Sequence, residues 1–235
     1  MIVLGFDTAT PATAVGLRLA DGSTLQARDD PGSDEHPGHA TRLLAMTHEL
    51  LGGAGLRFGD LDRIAVGLGP GTFTGLRVGV ATARGLAQSL GIELAGVSSL
   101  RALAEGAMRS ELDGSHVLAV LDARRGEAFL AAYELTDRGS VEELVAPCAL
   151  APEKLGSVAQ RGGEWRAVGD GAVRFRSQLE AAGVAVPPDC SPLHLLSGET
   201  ICDLGARAEA VASSYEAVVP DYRRRPDAEI ALERK

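Results

Sequence analysis

The sequence predicts an α/β protein with parallel strands and two similar lobes, and three observations support this. An apolar run at residues 64–67 is followed by a glycine-rich turn, a helix over 75–90 and a second apolar run at 92–97. The two strands of such a unit are parallel, because the helix carries the chain back across the sheet. An apolar strand that ends in aspartate occurs at 2–7 and again at 116–122. A turn and a second strand follow in both places, which indicates a repeated lobe.

The other elements of the first half follow from periodicity and turn residues. Strands over 13–19 and 24–27 flank Asp21-Gly22, a strong hairpin signal, and the polar stretch 28–38 predicts an exposed loop. A helix is expected over 39–51, because its apolar residues fall on one helical face. These residues are Leu43, Leu44, Thr47, Leu50 and Leu51.

A helix-ending glycine and a further apolar pattern predict more elements. Gly91 is placed to end the helix over 75–90, and a short helix is expected over 100–108 before a polar stretch at 109–115. The second half of the chain is less regular. It predicts strands over 128–135, 141–146 and 166–171, helices over 152–159, 175–182 and 197–213, and a loop over 184–194.

Composition excludes several classes of protein. A net charge of −9 over 235 residues argues against a free-standing nucleic-acid binder, and the basic run at 223–225 is best explained as a solvated tail. Cys148, Cys190 and Cys202 are too few and too scattered for a disulfide framework or a zinc site. We therefore expect reduced thiols in a cytoplasmic protein. No apolar run is long enough to predict a membrane span.

The glycine-rich turn at 69–75 invites a nucleotide interpretation, which its details do not support. A phosphate-binding P-loop needs a lysine after its last glycine, and here Leu76-Arg77 follow Gly75. A dinucleotide site needs an acidic residue after the next strand, and here that strand ends in Val97-Ser98-Ser99. The chain also lacks the HExxH and GxSxG patterns of metalloproteases and serine hydrolases.

The two aspartates at strand ends are the best candidates for metal or phosphate chemistry. Asp7, with its neighbour Thr8, and Asp122 would face one another across the cleft of a two-lobed fold. The alternative is that each aspartate caps a turn through its own backbone. The sequence leaves both interpretations open.

A stripe of small residues runs along the helix over 75–90. Gly75, Gly79, Ala83 and Ala87 are four residues apart and therefore share one face. Each glycine inside a helix costs about 1 kcal/mol relative to alanine, so we expect a backbone to approach this face closely. The approaching backbone belongs either to the chain's own sheet or to another subunit.

Several blocks of sequence resemble the bacterial TsaB (YeaZ) family. They are LGFDTAT at 4–10, HATRLL at 39–44, GLGPGTFTGLRVGVATARGLAQSLG at 67–91, GVSSL at 96–100, LDARRGEAFLAAY at 121–133 and PDYRR at 220–224. The resemblance implies the actin-like ATPase (ASKHA) fold with two ribonuclease-H-like lobes. We expect the lobes at 1–110 and 111–235, and leave open whether the C-terminal segment returns to the first lobe.

The same resemblance implies a function in tRNA modification. The family belongs to the machinery that places threonylcarbamoyl on N6 of adenosine 37. This chain would be a non-catalytic subunit that binds the catalytic subunit TsaD together with the ATPase TsaE and reaches tRNA only through that complex. No catalytic residue, cofactor or metal is expected. The catalytic relative carries a metal-binding HxxxH where this chain has Ser99 and Leu103, which are poor metal ligands.

The family's partner contact implies an interface on two helices of this chain. Isolated chains would form a homodimer through the same helices. The residues implied are His39, Leu43, Leu44, Thr47, Gly75, Leu76, Gly79, Val80 and Ala83. Two alternatives remain, a small-molecule kinase of the same fold and an M22-type peptidase. Such kinases carry a glycine shortly after the first aspartate, and this chain has none shortly after Asp7; the peptidase needs the HxxxH, which this chain also lacks.

Overall fold

Two β-sheets and six α-helices make up the part of the chain that the computed structural model describes, residues 1–32, 35–111, 116–136, 140–160 and 163–223. The strands are β1 Val3–Asp7, β2 Thr13–Arg18, β3 Thr24–Asp29, β4 Arg63–Gly67, β5 Glu93–Val97, β6 His116–Asp122, β7 Ala128–Leu135, β8 Val141–Leu150, β9 Trp165–Val168 and β10 Ala210–Val211. The helices are α1 His39–Gly53, α2 Phe73–Leu90, α3 Ser99–Glu111, α4 Asp170–Arg174, α5 Arg176–Ala181 and α6 Gly198–Arg207.

The two sheets share one plan. The six-stranded sheet has the order β10-β5-β4-β1-β2-β3 and the four-stranded sheet the order β8-β7-β6-β9. Each opens with an antiparallel three-stranded meander, and a later strand lies parallel to the first strand of that meander. Asp7 and Asp122 occupy the last position of β1 and of β6. The α/β class, the parallel unit and the repeated opening are confirmed, and the architecture is the actin-like ATPase fold.

Helices cover both faces of the six-stranded sheet. Leu4 and Phe6 of β1 pack with α1 and α2 in one core cluster, whereas the alternate residue Val3 packs with α3 and α6 in another. A third cluster lies between the four-stranded sheet, α4 and α5. Near-continuous burial of β1, β4 and β6 agrees with their apolar sequences, because strands covered on both faces do not alternate in polarity.

Helix α6 lies unusually close to the six-stranded sheet, and glycines make this possible. A β-carbon at Gly16 would lie 2.3 Å from the Gly198 carbonyl oxygen, and one at Gly205 would lie 2.2 Å from the Ala65 β-carbon. Cys202 sits between these contacts, where burial raises the pKa of its thiol to about 12. All three cysteines are free thiols.

The C-terminal end of α6 differs from the sequence prediction. The helix predicted over 197–213 ends at Arg207, and Ala210 and Val211 form β10 beside β5. The Arg63 guanidinium explains the early end. Its Nη1 donates to the carbonyl oxygens of Gly205, Ala206 and Ala208 at 2.8, 3.2 and 3.2 Å, and so replaces helical partners.

Smaller differences have local causes. The helix predicted over 175–182 is present as α5, and the additional helix α4 precedes it, separated because Phe175 leaves helical geometry. Strand β8 continues past Pro147 to Leu150, which an edge strand tolerates because its outer amides need no partner. Parts of the predicted stretches 28–38, 109–115 and 223–225 lie outside the described residues.

Membrane insertion finds no support in the helices. Throughout the described ranges, no helix combines the length and the apolar character needed to cross a bilayer.

The Gly16–Gly198 contact yields a stability prediction. Gly16→Ala places a methyl group against the α6 backbone, and overpacking of this kind typically costs about 1–3 kcal/mol. Gly52→Ala is the control, because its β-carbon would meet nothing within 4 Å and alanine favours the helix by about 1 kcal/mol. Urea unfolding should show a lower free energy of unfolding for the first variant only. Equal values for both variants would contradict the close contact.

Candidate functional site

The carboxylate of Asp7 is buried at the C-terminal end of β1 and is used by the chain itself. Its Oδ1 accepts a hydrogen bond from the Ala9 amide at 2.7 Å, and its Oδ2 accepts one from the Ser99 hydroxyl at 2.5 Å. Gly67 faces the carboxylate so closely that a β-carbon there would lie 1.8 Å from Oδ2. Burial raises the pKa of Asp7, and the two hydrogen bonds and the charge of Arg28 lower it in part.

Ser99 extends this arrangement to three strand ends. The Gly69 amide donates to the Ser99 hydroxyl at 3.0 Å, and the Ser99 amide donates to the Gly69 carbonyl at 2.9 Å. The Thr72 amide donates to the Ala9 carbonyl at 2.7 Å. The ends of β1, β4 and β5 and the starts of α2 and α3 are therefore joined in one network. We call the set Asp7, Gly69 and Ser99 the strand-end junction.

The positions where the catalytic relative would carry histidines are closed. Ser99 is fully buried and Leu103 is 1% exposed. The Ser99 hydroxyl is engaged in the strand-end junction. Among the described residues, no group of three or more histidine, cysteine or acidic side chains is arranged to hold a metal ion. The residues at this end of β5 therefore do not fit a divalent metal.

Thr8 explains the small-residue stripe on α2. Its hydroxyl donates to the Gly75 carbonyl at 2.7 Å. A β-carbon at Gly75 would lie 2.0 Å from the Thr8 carbonyl oxygen, and one at Gly79 would lie 2.4 Å from Thr8 Oγ1. The backbone that approaches the stripe therefore belongs to the same chain, at Thr8 directly after the end of β1. These contacts support the first alternative, in which the chain's own backbone approaches the stripe.

Asp122 at the end of β6 is likewise bound by its own chain. Its Oδ1 accepts the Arg124 amide at 2.8 Å, and its Oδ2 accepts Arg174 Nη1 at 2.7 Å. The Asp122 amide donates to Asp170 Oδ1 at 3.0 Å. Burial raises the pKa of Asp170, while the hydrogen bond from Asp122 lowers it. The local contacts of both aspartates favour the capping interpretation over a phosphate or metal site.

The turn after Asp122 is held in a strained conformation. Arg124 and Arg125 have φ of 62° and 51°, and Gly126 follows with 81°. Non-glycine residues rarely adopt this left-handed region. Arg124 also approaches Asp122 through its guanidinium at 3.3 Å, so this ion pair and the amide bond hold the turn. Sequence patterns gave no signal for this strain.

Most of the predicted interface residues are inside the chain. His39, Leu43 and Thr47 of α1 are at most 5% exposed. The five predicted residues of α2 are also buried, namely Gly75, Leu76, Gly79, Val80 and Ala83. Only Leu44 of the nine is exposed, at 46%. The predicted interface residues lie mainly on the apolar face of each helix, and that face packs on the six-stranded sheet.

The opposite faces of α1 and α2 are open. Thr41, Leu44 and His48 are exposed along α1 at helical spacing. On α2, Ala81 and Gly85 are exposed, and a β-carbon at Gly85 would meet nothing within 4 Å. We call these five residues the outer helix face. It combines one exposed leucine with small residues that allow a partner's backbone to approach.

The segment after β10 also lies against α2. Arg84 donates to the Val218 carbonyl at 2.9 Å, and the Asp221 amide donates to the Leu68 carbonyl at 2.8 Å. The Tyr222 ring lies against the Phe73 ring, with ring centroids 5.2 Å apart, and Tyr222 is 43% exposed. The described part of the PDYRR motif, residues 220–223, therefore covers the start of α2, which composition alone did not indicate.

The strand-end junction predicts that Asp7→Ala lowers the stability of the protein more than Asp7→Asn does. Asp7→Ala leaves the Ala9 amide and the Ser99 hydroxyl buried without their acceptor, which should cost about 1–3 kcal/mol for each unsatisfied group. Asp7→Asn keeps an acceptor for Ala9 and removes a buried charge, so it should remain close to wild type. Thermal and urea unfolding would measure both, and an Asp7→Asn protein as unstable as Asp7→Ala would contradict this role.

His39 predicts a pH dependence of stability. Its Nδ1 lies 2.8 Å from Thr13 Oγ1, and burial lowers the pKa of His39 while the charge of Asp29 raises it in part. Because the unfolded chain takes up the proton more readily, stability should fall as pH drops below about 6.5. His39→Gln should lose less stability than wild type between about pH 7 and 5.5. His36→Gln, at an exposed position, should follow wild type, and identical curves for all three proteins would contradict the prediction.

Comparison with known proteins matches this architecture to a tRNA-modification family. The family model described as TsaD, tRNA N6-adenosine threonylcarbamoyltransferase, matches residues 34–219. TsaB of Escherichia coli K12, a tRNA threonylcarbamoyladenosine biosynthesis protein, is 37% identical over 73% of this chain and 72% of its own length. TsaB of Bacillus subtilis is 38% identical over 46% of this chain and 45% of its own length.

A solved structure agrees. YeaZ from Pseudomonas aeruginosa superposes with a TM-score of 0.79 and 31% identity, covering 94% of this chain and 99% of that protein. The family model and the Escherichia coli relative each match well over half of the chain. This chain therefore belongs to the TsaD-type family, within its group of tRNA threonylcarbamoyladenosine biosynthesis proteins named TsaB.

Proposed function

We propose that this chain is a non-catalytic subunit of the threonylcarbamoyladenosine machinery. It binds and supports a TsaD-like catalytic subunit, acts together with a TsaE-like ATPase and meets tRNA only through the complex. It requires no cofactor of its own. The relatives named TsaB support the pathway, and the TsaD-type family model supports the kind of partner.

The hydrogen bond from Ser99 to Asp7 is the observation on which this proposal rests. Ser99 stands where the family's catalytic member has a metal-binding histidine, and its hydroxyl is committed to a buried carboxylate. A neutral serine hydroxyl is a poor ligand for a divalent metal. The same bond occupies Asp7, which a kinase of this fold would use near its phosphates. Both enzymatic alternatives, the kinase and the M22-type peptidase, are therefore less favoured.

The outer helix face is the surface that we assign to the catalytic partner. It lies on α1 and α2, the two helices that the family resemblance implicates, but uses their exposed residues instead of the buried ones. Leu44 supplies an apolar anchor, and Ala81 and Gly85 let a partner helix approach. In the absence of the partner, a second copy of the chain would cover the same face and form a homodimer. The net charge of −9 fits a cytoplasmic subunit that leaves tRNA binding to its partners.

A single substitution separates partner binding from folding. Gly85→Leu fills open space on the outer helix face, so the free energy of unfolding should stay equal or rise. Overpacking at the interface should cost about 1–3 kcal/mol, which lowers affinity for the TsaD-like subunit roughly tenfold to a hundredfold. Isothermal titration with the purified subunit measures the affinity, and urea unfolding measures stability.

Two further variants serve as controls. Ser177→Leu adds the same side chain to the exposed face of α5, so partner affinity should not change. Gly79→Leu meets Thr8 and should lower stability whatever the partner does. Wild-type affinity of Gly85→Leu would exclude this docking face. Threonylcarbamoyl transfer by the isolated chain, with stoichiometric bound metal, would contradict the non-catalytic proposal.

A further inference from the structure

Three arginines surround one buried carboxylate between α3 and the end of α6. Glu105 is 4% exposed. Its Oε1 lies 2.9 Å from Arg101 Nε, and its Oε2 lies 2.7 Å from Arg207 Nη2 and 3.9 Å from Arg109 Nη2. Arg101, Glu105 and Arg109 follow one face of α3 at intervals of four residues.

Positive charge is in excess at this place, although the whole protein is acidic. Asp203 pairs with Arg109 at 2.5 Å and with Arg18 at 3.2 Å. The exposed carboxylate of Glu143 is the third acidic group that acts on this region. Among the described residues that line the two cavities described below, Arg101, Arg109 and Arg207 stand against the single carboxylate of Glu105, in a chain whose net charge is −9. Such a local excess favours an anion.

Two cavities open on either side of Arg101 and Arg207. One has a volume of about 370 Å³ and the other of about 280 Å³, and both arginines line both cavities. Arg101 donates through Nε and Nη2, and Arg207 through Nε and Nη2. The Nη1 group of each arginine donates to none of the described residues. Both guanidinium groups thus line a space that fits a small molecule.

A buried hydroxyl next to the smaller cavity also lacks a partner. Tyr133 is fully buried, and its hydroxyl forms no hydrogen bond to the described residues. Burial and the charge of Glu143 raise the pKa of Tyr133, while a side-chain interaction with the Ser98 hydroxyl, beyond the distance of a formed hydrogen bond, and the charge of Arg101 lower it. Ser98 itself lines the cavity. An unsatisfied buried donor is costly, so a ligand at Ser98 that gives this hydroxyl a partner would be favourable.

We propose that Arg101 and Arg207 bind a small oxyanion, a phosphate or carboxylate group, in the space shared by the two cavities. The planar guanidinium fork suits both groups, because each presents two oxygens at matching distance. Ser98 donates to the anion from the side, and in that state its oxygen accepts a hydrogen bond from the Tyr133 hydroxyl behind it. Glu105 holds the two arginines apart at the right spacing. The site is separate from the strand-end junction and from the outer helix face, so it does not depend on the proposed function.

The alternative is that the arginines only stabilise Glu105. That role needs the two hydrogen bonds to its oxygens, but not the unused Nη1 donors, the two adjoining cavities or the unpaired hydroxyl. A flat macromolecular contact is less favoured, because the donors line concave spaces of a few hundred Å³.

Titration of the full chain with inorganic phosphate and, separately, with succinate tests the site. Calorimetry and thermal unfolding at constant ionic strength, with chloride as the reference salt, distinguish the two classes of anion. We expect saturable binding of at least one of them. Arg207→Gln should weaken it tenfold or more, because it removes a charged hydrogen bond and leaves Glu105 paired with Arg101.

Matched variants separate binding from general charge and from folding. Arg57→Gln removes one positive charge from an exposed site whose neighbours Leu56 and Phe58 pack on the opposite face of the six-stranded sheet, so affinity should not change. Tyr133→Phe should weaken binding several-fold without lowering the stability of the free protein. The proposal is overturned if neither anion binds saturably, or if Arg207→Gln and Arg57→Gln bind equally well. Unchanged binding by Tyr133→Phe would remove Tyr133 from the site.

Discussion

The hydrogen bond between Asp7 and Ser99 is the interaction on which the rest of the structure depends. It joins the end of the first strand to the start of α3, and the Gly69 amide joins the same hydroxyl to the turn before α2. Parallel strands leave polar backbone groups together at one edge of a sheet, where many proteins bind ligands. In this chain the Asp7 carboxylate and the Ser99 hydroxyl form hydrogen bonds with the polar groups at that edge. A position that often binds ligands therefore stabilises the fold instead.

Closing this edge changes how the two faces of α2 are used. The face that carries Gly75 and Gly79 contacts Thr8 closely, so α2 packs close to the sheet. Its other face, with Ala81 and Gly85, is consequently exposed. A single arrangement of small residues thus explains both the packing inside the chain and the availability of a surface outside it.

Sequence periodicity predicted the elements well where local signals decide them. Gly91 adopts the left-handed conformation expected of a helix stop, and both aspartates end their strands. The end of α6 could not be predicted, since it is set by Arg63, which lies more than a hundred residues away in the sequence. The stripe on α2 predicted that another segment packs closely against this face, but not which segment. The spacing of small residues is the same whether they contact the same chain or a helix of another subunit.

The late return of the chain to the first sheet has a consequence for biosynthesis. Helix α6 packs on β1, β2 and β4, and β10 adds to the edge of β5, yet these elements occupy residues 198–211. A ribosome must therefore translate nearly the whole chain before the first sheet can bury the face that carries Val3 and Ala65. During that interval an apolar surface of the nascent chain stays open, which makes it a natural substrate for chaperones that protect proteins still being synthesised.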